Sequence, residues 1–197
     1  MKKISTLAIF LIIIFSSINK SYSIEADVFI QSTVNRAAKT LSGDLTKEER
    51  IKKLKNIAIE TVDITGIGFY ALGSHRKNIT EENLNQYNKV FREYFLKSFS
   101  SRLAEYSNPK IDVDSKKIIN KNYTMVYSTL VATNSRPEVK IDWRIYTKDP
   151  ENLLIRDLII EGLSLARTQK EEFSSIINSN EGKIEELLKV LSDFAKK

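Results

Sequence analysis

The sequence has no cysteine and a single histidine in 197 residues, and these two absences remove whole classes of chemistry. No disulfide can form, no thiolate can bind a metal or attack a carbonyl, and no cluster of imidazoles can hold a transition metal. Proline is scarce at three and glycine at six, so no low-complexity or collagen-like segment is present. No apolar run approaches the about 20 residues that span a bilayer as a helix. What is present, 42% hydrophobic and 28% charged residues, is the composition of one folded domain long enough to close a single core.

Reactive constellations are equally sparse. A Ser-His-acid triad would have to use His75, which lies between Ser74 and Arg76 in a polar loop, and no G-x-S-x-G elbow surrounds any serine. There is no Walker A sequence, and Gly66-x-Gly68 lacks both the third glycine and the preceding strand of a dinucleotide site. Asp112 and Asp114 stand two apart, but no calcium-loop pattern encloses them. Asp157 and Glu161 are acids inside apolar strand sequence. They are the candidate bases if a dry pocket performs proton transfer, as in small cone-shaped isomerases. The alternative for each is a structural acceptor, for Glu161 at the N-terminus of the following helix.

The N-terminus reads as an export signal. Lys2 and Lys3 precede the apolar run Leu7 to Phe15, and Ser21-Tyr22-Ser23 offers small residues at the positions a signal peptidase reads. Cleavage after Ser23 would remove three lysines and no acid, lowering the formal charge from +6 to +3. The remaining basic residues are interspersed with acids, as at Lys52, Lys53 and Lys55 beside Glu48 and Glu49, so nucleic acid is not an expected partner. An exported protein without cysteine fits a bacterial periplasm.

The expected organisation is a 1–23 signal followed by one α+β domain over 24–197: helical over 24–107, strands over 111–162 and C-terminal helices over 165–195. Helical spacing marks Ile24 to Leu41 through Val28, Ile30, Val34, Ala37, Ala38 and Leu41. Thr46 with Glu49 forms a capping box opening a second helix. The glycine-rich stretch Asp63 to Gly73 reads as a short buried helix with close backbone packing. Thr80 opens the longest helix, to about Tyr106, with a broad stripe of Leu84, Tyr87, Phe91, Phe95, Phe99 and Leu103.

After Asn108-Pro109 the period changes to two. Four strands are expected, Ile111 to Ile119, Tyr123 to Thr133, Val139 to Thr147 and Leu153 to Glu161. Short polar connections between them make an antiparallel meander. The third alternates Val139, Ile141, Trp143 and Ile145 against Lys140, Asp142, Arg144 and Tyr146. The fourth is apolar on both sides and is expected at the sheet's centre. The chain is then expected to turn helical directly from Glu161-Gly162, with Thr168 and Glu171 as a second capping box and Asn180 capping a last helix of Ile184, Leu187, Leu188, Leu191 and Phe194. A curved sheet against helices, with no reactive group convincingly placed, suits a concave apolar pocket.

These residues also resemble a known family. The order Asp63-Ile64, Leu72-Gly73, Phe91-Arg92-Glu93-Tyr94, Leu103-Ala104-x-Tyr106, Arg136-Pro137-x-Val139-x-Ile141-Asp142-Trp143, Asp157-Leu158-Ile159-Ile160-Glu161-Gly162-Leu163-Ser164-Leu165 and Phe173 is similar to the MlaC, or toluene-tolerance, family of periplasmic phospholipid-binding proteins. Two positions depart from it: polar Arg76 where an aromatic is expected, and Leu163 for the commoner valine. The resemblance implies a shuttle without catalytic activity or cofactor. It would carry phospholipid between an outer-membrane lipoprotein complex and an inner-membrane ABC transporter with a substrate-binding ring protein. It further implies that Phe99, Val139, Ile141 and Leu163 line a lipid cavity and that Arg136 meets headgroup or partner. Stripe and alternation add Phe91, Phe95, Trp143, Leu158 and Ile160. Readings from other classes are a periplasmic enzyme or isomerase with Asp157 or Glu161 as base in the same cavity, and a peptide-binding chaperone.

Overall fold

A computed structural model describes residues 24–196; the expected export signal lies outside the described residues. Helix α1 (Ala26–Ser42) buries Ala26, Ile30, Val34 and Leu41 along one side. Val28, expected on that side, is exposed, because it stands half a turn from Ile30. Thr33 and Thr40 enter the buried face by donating their hydroxyls to the carbonyls of Phe29 and Arg36, at 2.8 and 3.0 Å. Helix α2 (Lys47–Thr61) starts on the expected capping box, with both halves formed between Thr46 and Glu49.

Helix α3 (Ile64–Leu72) is the expected short buried helix. The Asp63 carboxylate accepts from the Gly66 N–H at its start, at 2.7 Å. At Gly68 an added Cβ would stand 2.8 Å from the Phe91 ring, so glycine is what lets α3 press against the next helix. A 3-10 turn, Gly73–Lys77, leads to α4 (Glu81–Leu103), which opens on Thr80 as expected and ends slightly before Tyr106. Tyr87 is fully buried and donates its hydroxyl to the Gly68 carbonyl at 2.9 Å; burial raises its phenol above the ordinary tyrosine range.

Among the described residues, the sheet is an antiparallel meander of five strands in sequence order: β1 (Ile111–Asn120), β2 (Tyr123–Leu130), β3 (Val139–Tyr146), β4 (Leu154–Ile160) and β5 (Leu163–Ser164). Register shifts in β1 and between β3 and β4 are of the kind that bend a sheet and increase its twist. Two corrections concern its far side. The chain does not pass from Glu161-Gly162 straight into a helix: both residues have positive φ, 48° and 81°, the signature of a tight two-residue hairpin turn that sends β5 back along β4. And β4 is not central but next to last. Its apolar character has another source. Val62 bridges to Ile155, Asp63 donates its N–H to the Ile155 carbonyl at 3.0 Å, and β5 pairs with Ile159 and Ile160 at the other end of the edge.

The start of α5 (Leu165–Ser179) also differs from expectation. Ser164, not Thr168, caps it by accepting from the Arg167 N–H, while Thr168 lies inside the helix and donates to the Ser164 carbonyl. Asn180 closes α5 rather than opening the next helix, its amide donating to the Ile176 carbonyl at 2.8 Å. Helix α6 (Ile184–Lys196) buries Ile184, Leu187, Leu188 and Leu191. Helices and sheet share one continuous apolar core containing Ile30, Leu72, Tyr87, Phe91, Val126, Trp143, Ile145, Phe173 and Leu187. Among the described residues, no helix is long and apolar enough to cross a membrane.

Candidate functional site

The strand register sorts the predicted site residues by face. Trp143 pairs with Leu158 and Ile141 with Ile160 across β3 and β4, while Val139, Ile141 and Trp143 pair with Leu130, Ser128 and Val126 of β2. Val139, Ile141, Trp143, Leu158 and Ile160 therefore share one face of the sheet. The polar atoms within it are satisfied: the Trp143 indole donates to the Ser128 hydroxyl at 2.8 Å, and that hydroxyl donates to the Ile141 carbonyl at 2.8 Å. Such a face offers apolar contact and no free proton donor.

From α4, the rings of Tyr87, Phe91, Phe95 and Phe99 follow one another with centroids 5.5, 6.1 and 5.7 Å apart. Their burial is graded. Tyr87 and Phe91 are enclosed, and Phe91 also meets Phe173 edge-on at 6.0 Å. Phe95 and Phe99 are only half-buried against the same core, as are Val139 and Leu158. Thus Phe91, Ile141 and Trp143 are enclosed core, whereas Phe95, Phe99, Val139 and Leu158 are half-covered apolar residues on the margin of that core. Ile160 is half-buried, and its partner Leu163 in β5 is 59% exposed. Arg136 stands apart in the β2–β3 connection, with its guanidinium 5.3 Å from the Tyr106 ring centre and donating to the Val131 carbonyl at 3.4 Å.

The candidate bases fall elsewhere. Asp157 alternates to the opposite face from Leu158 and is 3% exposed. One carboxylate oxygen accepts from the Ser164 hydroxyl at 2.6 Å and the other from the Ala166 N–H at 3.0 Å, so it organises the start of α5. Glu161 does not serve that helix: its carboxylate accepts from the Lys140 N–H at 2.5 Å, bracing the hairpin turn. Asp142, on the Asp157 face, is raised above the ordinary carboxylate range, chiefly by burial. His75 is half-exposed in the 3-10 turn. Asp112 pairs with Lys110 at 2.9 Å, and Asp114 accepts from the Thr129 hydroxyl at 2.9 Å. Among the described residues, no group of three acidic or imidazole side chains could hold a metal ion.

Sequence reasoning missed a concave surface beside α3. Gly66, Phe69, Tyr70 and Gly73 of the α3 segment, with Arg76, Arg156 and Lys170, line an open depression of about 400 Å³. Its three cations come from three separate stretches of chain, so no local motif announces them.

The fold is thus an antiparallel meander packed against helices, with half-covered apolar residues at the margin of their shared core. Known proteins place it more closely. The MlaC protein family matches residues 31–193, and the chain belongs to that family. A relative from Haemophilus influenzae, the intermembrane phospholipid transport system binding protein MlaC, is 23% identical over 128 residues, 64% of this chain. The match spans 59% of that relative's length. In fold, the chain is similar to a phospholipid-binding protein from Ralstonia solanacearum solved in complex with a phospholipid. The TM-score is 0.73 at 21% identity, over 88% of this chain and 98% of the other.

Proposed function

We propose that this protein is a periplasmic phospholipid carrier that takes acyl chains between the apolar face of the sheet and the C-terminal half of α4. The observation that carries the reading is the half-covered margin of Phe95, Phe99, Val139 and Leu158, apolar surface continuous with the core yet not closed by it. A buried methylene is worth about 0.8 kcal/mol, so one 16-carbon chain costs on the order of 12 kcal/mol to expose to water. A carrier must therefore nearly match the bilayer in apolar cover, and release requires a partner that opens the pocket. An outer-membrane lipoprotein complex and an inner-membrane ABC transporter with its substrate-binding ring protein fill those partner roles in this proposal. Ile160 and Leu163 continue the contact surface, with Ile141 and Trp143 as the packed floor beneath it, and Arg136 stands ready for a headgroup or a partner. No covalent step and no cofactor is required.

The test is lipid analysis of protein purified gently from cells. Native mass spectrometry is expected to find near-stoichiometric diacyl phospholipid that survives dialysis. Phe99→Asp and Leu163→Arg are each expected to lower occupancy severalfold while circular dichroism stays native. Empty wild-type protein, or full occupancy in both variants, would overturn the proposal.

A further inference from the structure

The depression beside α3 shares no lining residue with the apolar margin, and its chemistry is of the opposite kind. Arg76 lies over the Phe69 ring at 5.1 Å, and Lys170 over the Tyr70 ring at 5.4 Å. Neither forms an ion pair among the described residues; their charges face the depression with an aromatic plane behind them and no counter-ion. Arg156 supplies a third, more fixed cation. It lies over the Tyr146 ring at 4.5 Å, donates to the Tyr123 hydroxyl at 3.3 Å and pairs with Asp63 at 2.5 Å. Its Nε is buried with no acceptor among the described residues. Asp63 is already committed to Arg156 and to the Gly66 N–H, so it does not neutralise the other two cations.

The backbone is shaped to admit these cations. A Cβ at Gly66 would stand 2.8 Å from the Arg156 guanidinium carbon, and one at Gly73 would stand 2.8 Å from the Lys170 stem. Gly73 also has φ +57°, a conformation that other residues rarely hold.

We propose that this depression is a binding site for an organic phosphate, with Arg76 and Lys170 as its anion-binding groups and Arg156 as its fixed wall. Convergent cations suit an anion with several oxygens and more than one charge. The Phe69 and Tyr70 rings and the roughly 400 Å³ of space suit a phosphate borne on an organic group of headgroup size. The phosphate could arrive as a free ester or on an anionic lipid surface. The site is independent of the proposed acyl-chain cargo.

Three probes test it on the purified protein: inorganic phosphate and glycerol phosphate followed by ³¹P NMR and calorimetry, and flotation with phosphatidylglycerol vesicles. We expect saturable binding of glycerol phosphate, tighter than inorganic phosphate, that weakens at least tenfold in Arg76→Gln/Lys170→Gln. The charge-matched control Lys52→Gln/Lys53→Gln, on the exposed side of α2, is expected to leave it unchanged, and the swap Arg76→Lys/Lys170→Arg to restore most of it. Vesicle binding with the same dependence on Arg76 and Lys170 identifies the lipid surface as the source; soluble binding without flotation identifies the free ester. Absence of saturable binding to every probe, or equal weakening in the α2 control, overturns the site. Co-purified phospholipid is expected to stay at the wild-type level in all these variants, which separates this site from the acyl-chain pocket.

Discussion

Asp157 is the one buried carboxylate among the described residues, and its two oxygens receive the Ser164 hydroxyl and the Ala166 N–H. Removing it strands a buried backbone donor and loosens the cap of α5. Asp157→Ala is expected to lower the unfolding free energy by about 1–3 kcal/mol in urea titration. Asp157→Asn, which can still accept from Ala166, is expected to cost less, and neither change should alter the phospholipid bound per folded molecule. At this scale the sequence was legible where capping is local. Thr46 with Glu49 and Thr80 with Asn83 act across three residues of one chain segment. The start of α5 was not legible, because Ser164 is held by Asp157 across a hairpin, and that contact outweighs the local signal at Thr168.

Helix α1 protects the open edge of the sheet. The Gln31 side chain accepts from the Val113 N–H at 3.2 Å and donates to the Ile111 carbonyl at 3.4 Å, an amide standing in for a neighbouring strand. One turn away, Lys116 of β1 pairs with Glu25 and Asp27 at 2.6 and 2.7 Å. The hydrogen bond from Lys116 holds the Asp27 carboxyl below its usual range. A depressed carboxyl contributes stability above its unfolded pKa, about 4, and loses that contribution as the pH falls through its folded value. The wild type is therefore expected to lose more of its thermal stability between pH 5 and pH 3 than Lys116→Gln does. The difference should be small, because the pair is partly exposed; equal losses would show that the contact contributes nothing. The other edge misled sequence reasoning. An apolar β4 looks central until Val62 and Asp63, from the far end of α2, are seen to flank it.

Over the whole molecule, alternation along β3 was enough to assign the inner face of the sheet, and the stripe on α4 was enough to make it the central helix. What neither could supply is the gradient of cover along that stripe, from enclosed Phe91 to half-buried Phe99, because it depends on where α4 stands relative to the sheet. A ligand held only by the native state stabilises it by about 2.7 kcal/mol at a hundred times its dissociation constant. Delipidated protein is accordingly expected to melt several degrees below the lipid-loaded form in calorimetry. Re-addition of phospholipid should restore the wild type but not Phe99→Asp.

The three glycines in and beside α3 leave that segment little freedom to diversify. A methyl group at Gly68 would collide with Phe91 in the core, and one at Gly66 with the Asp63–Arg156 pair on the outside. One short helix is thus fixed by its interior and its exterior at once. Sequence drift among descendants of this chain should be filtered there by space, while at Gly162 and Gly182, where an added Cβ meets nothing within 4 Å, only backbone conformation is under selection.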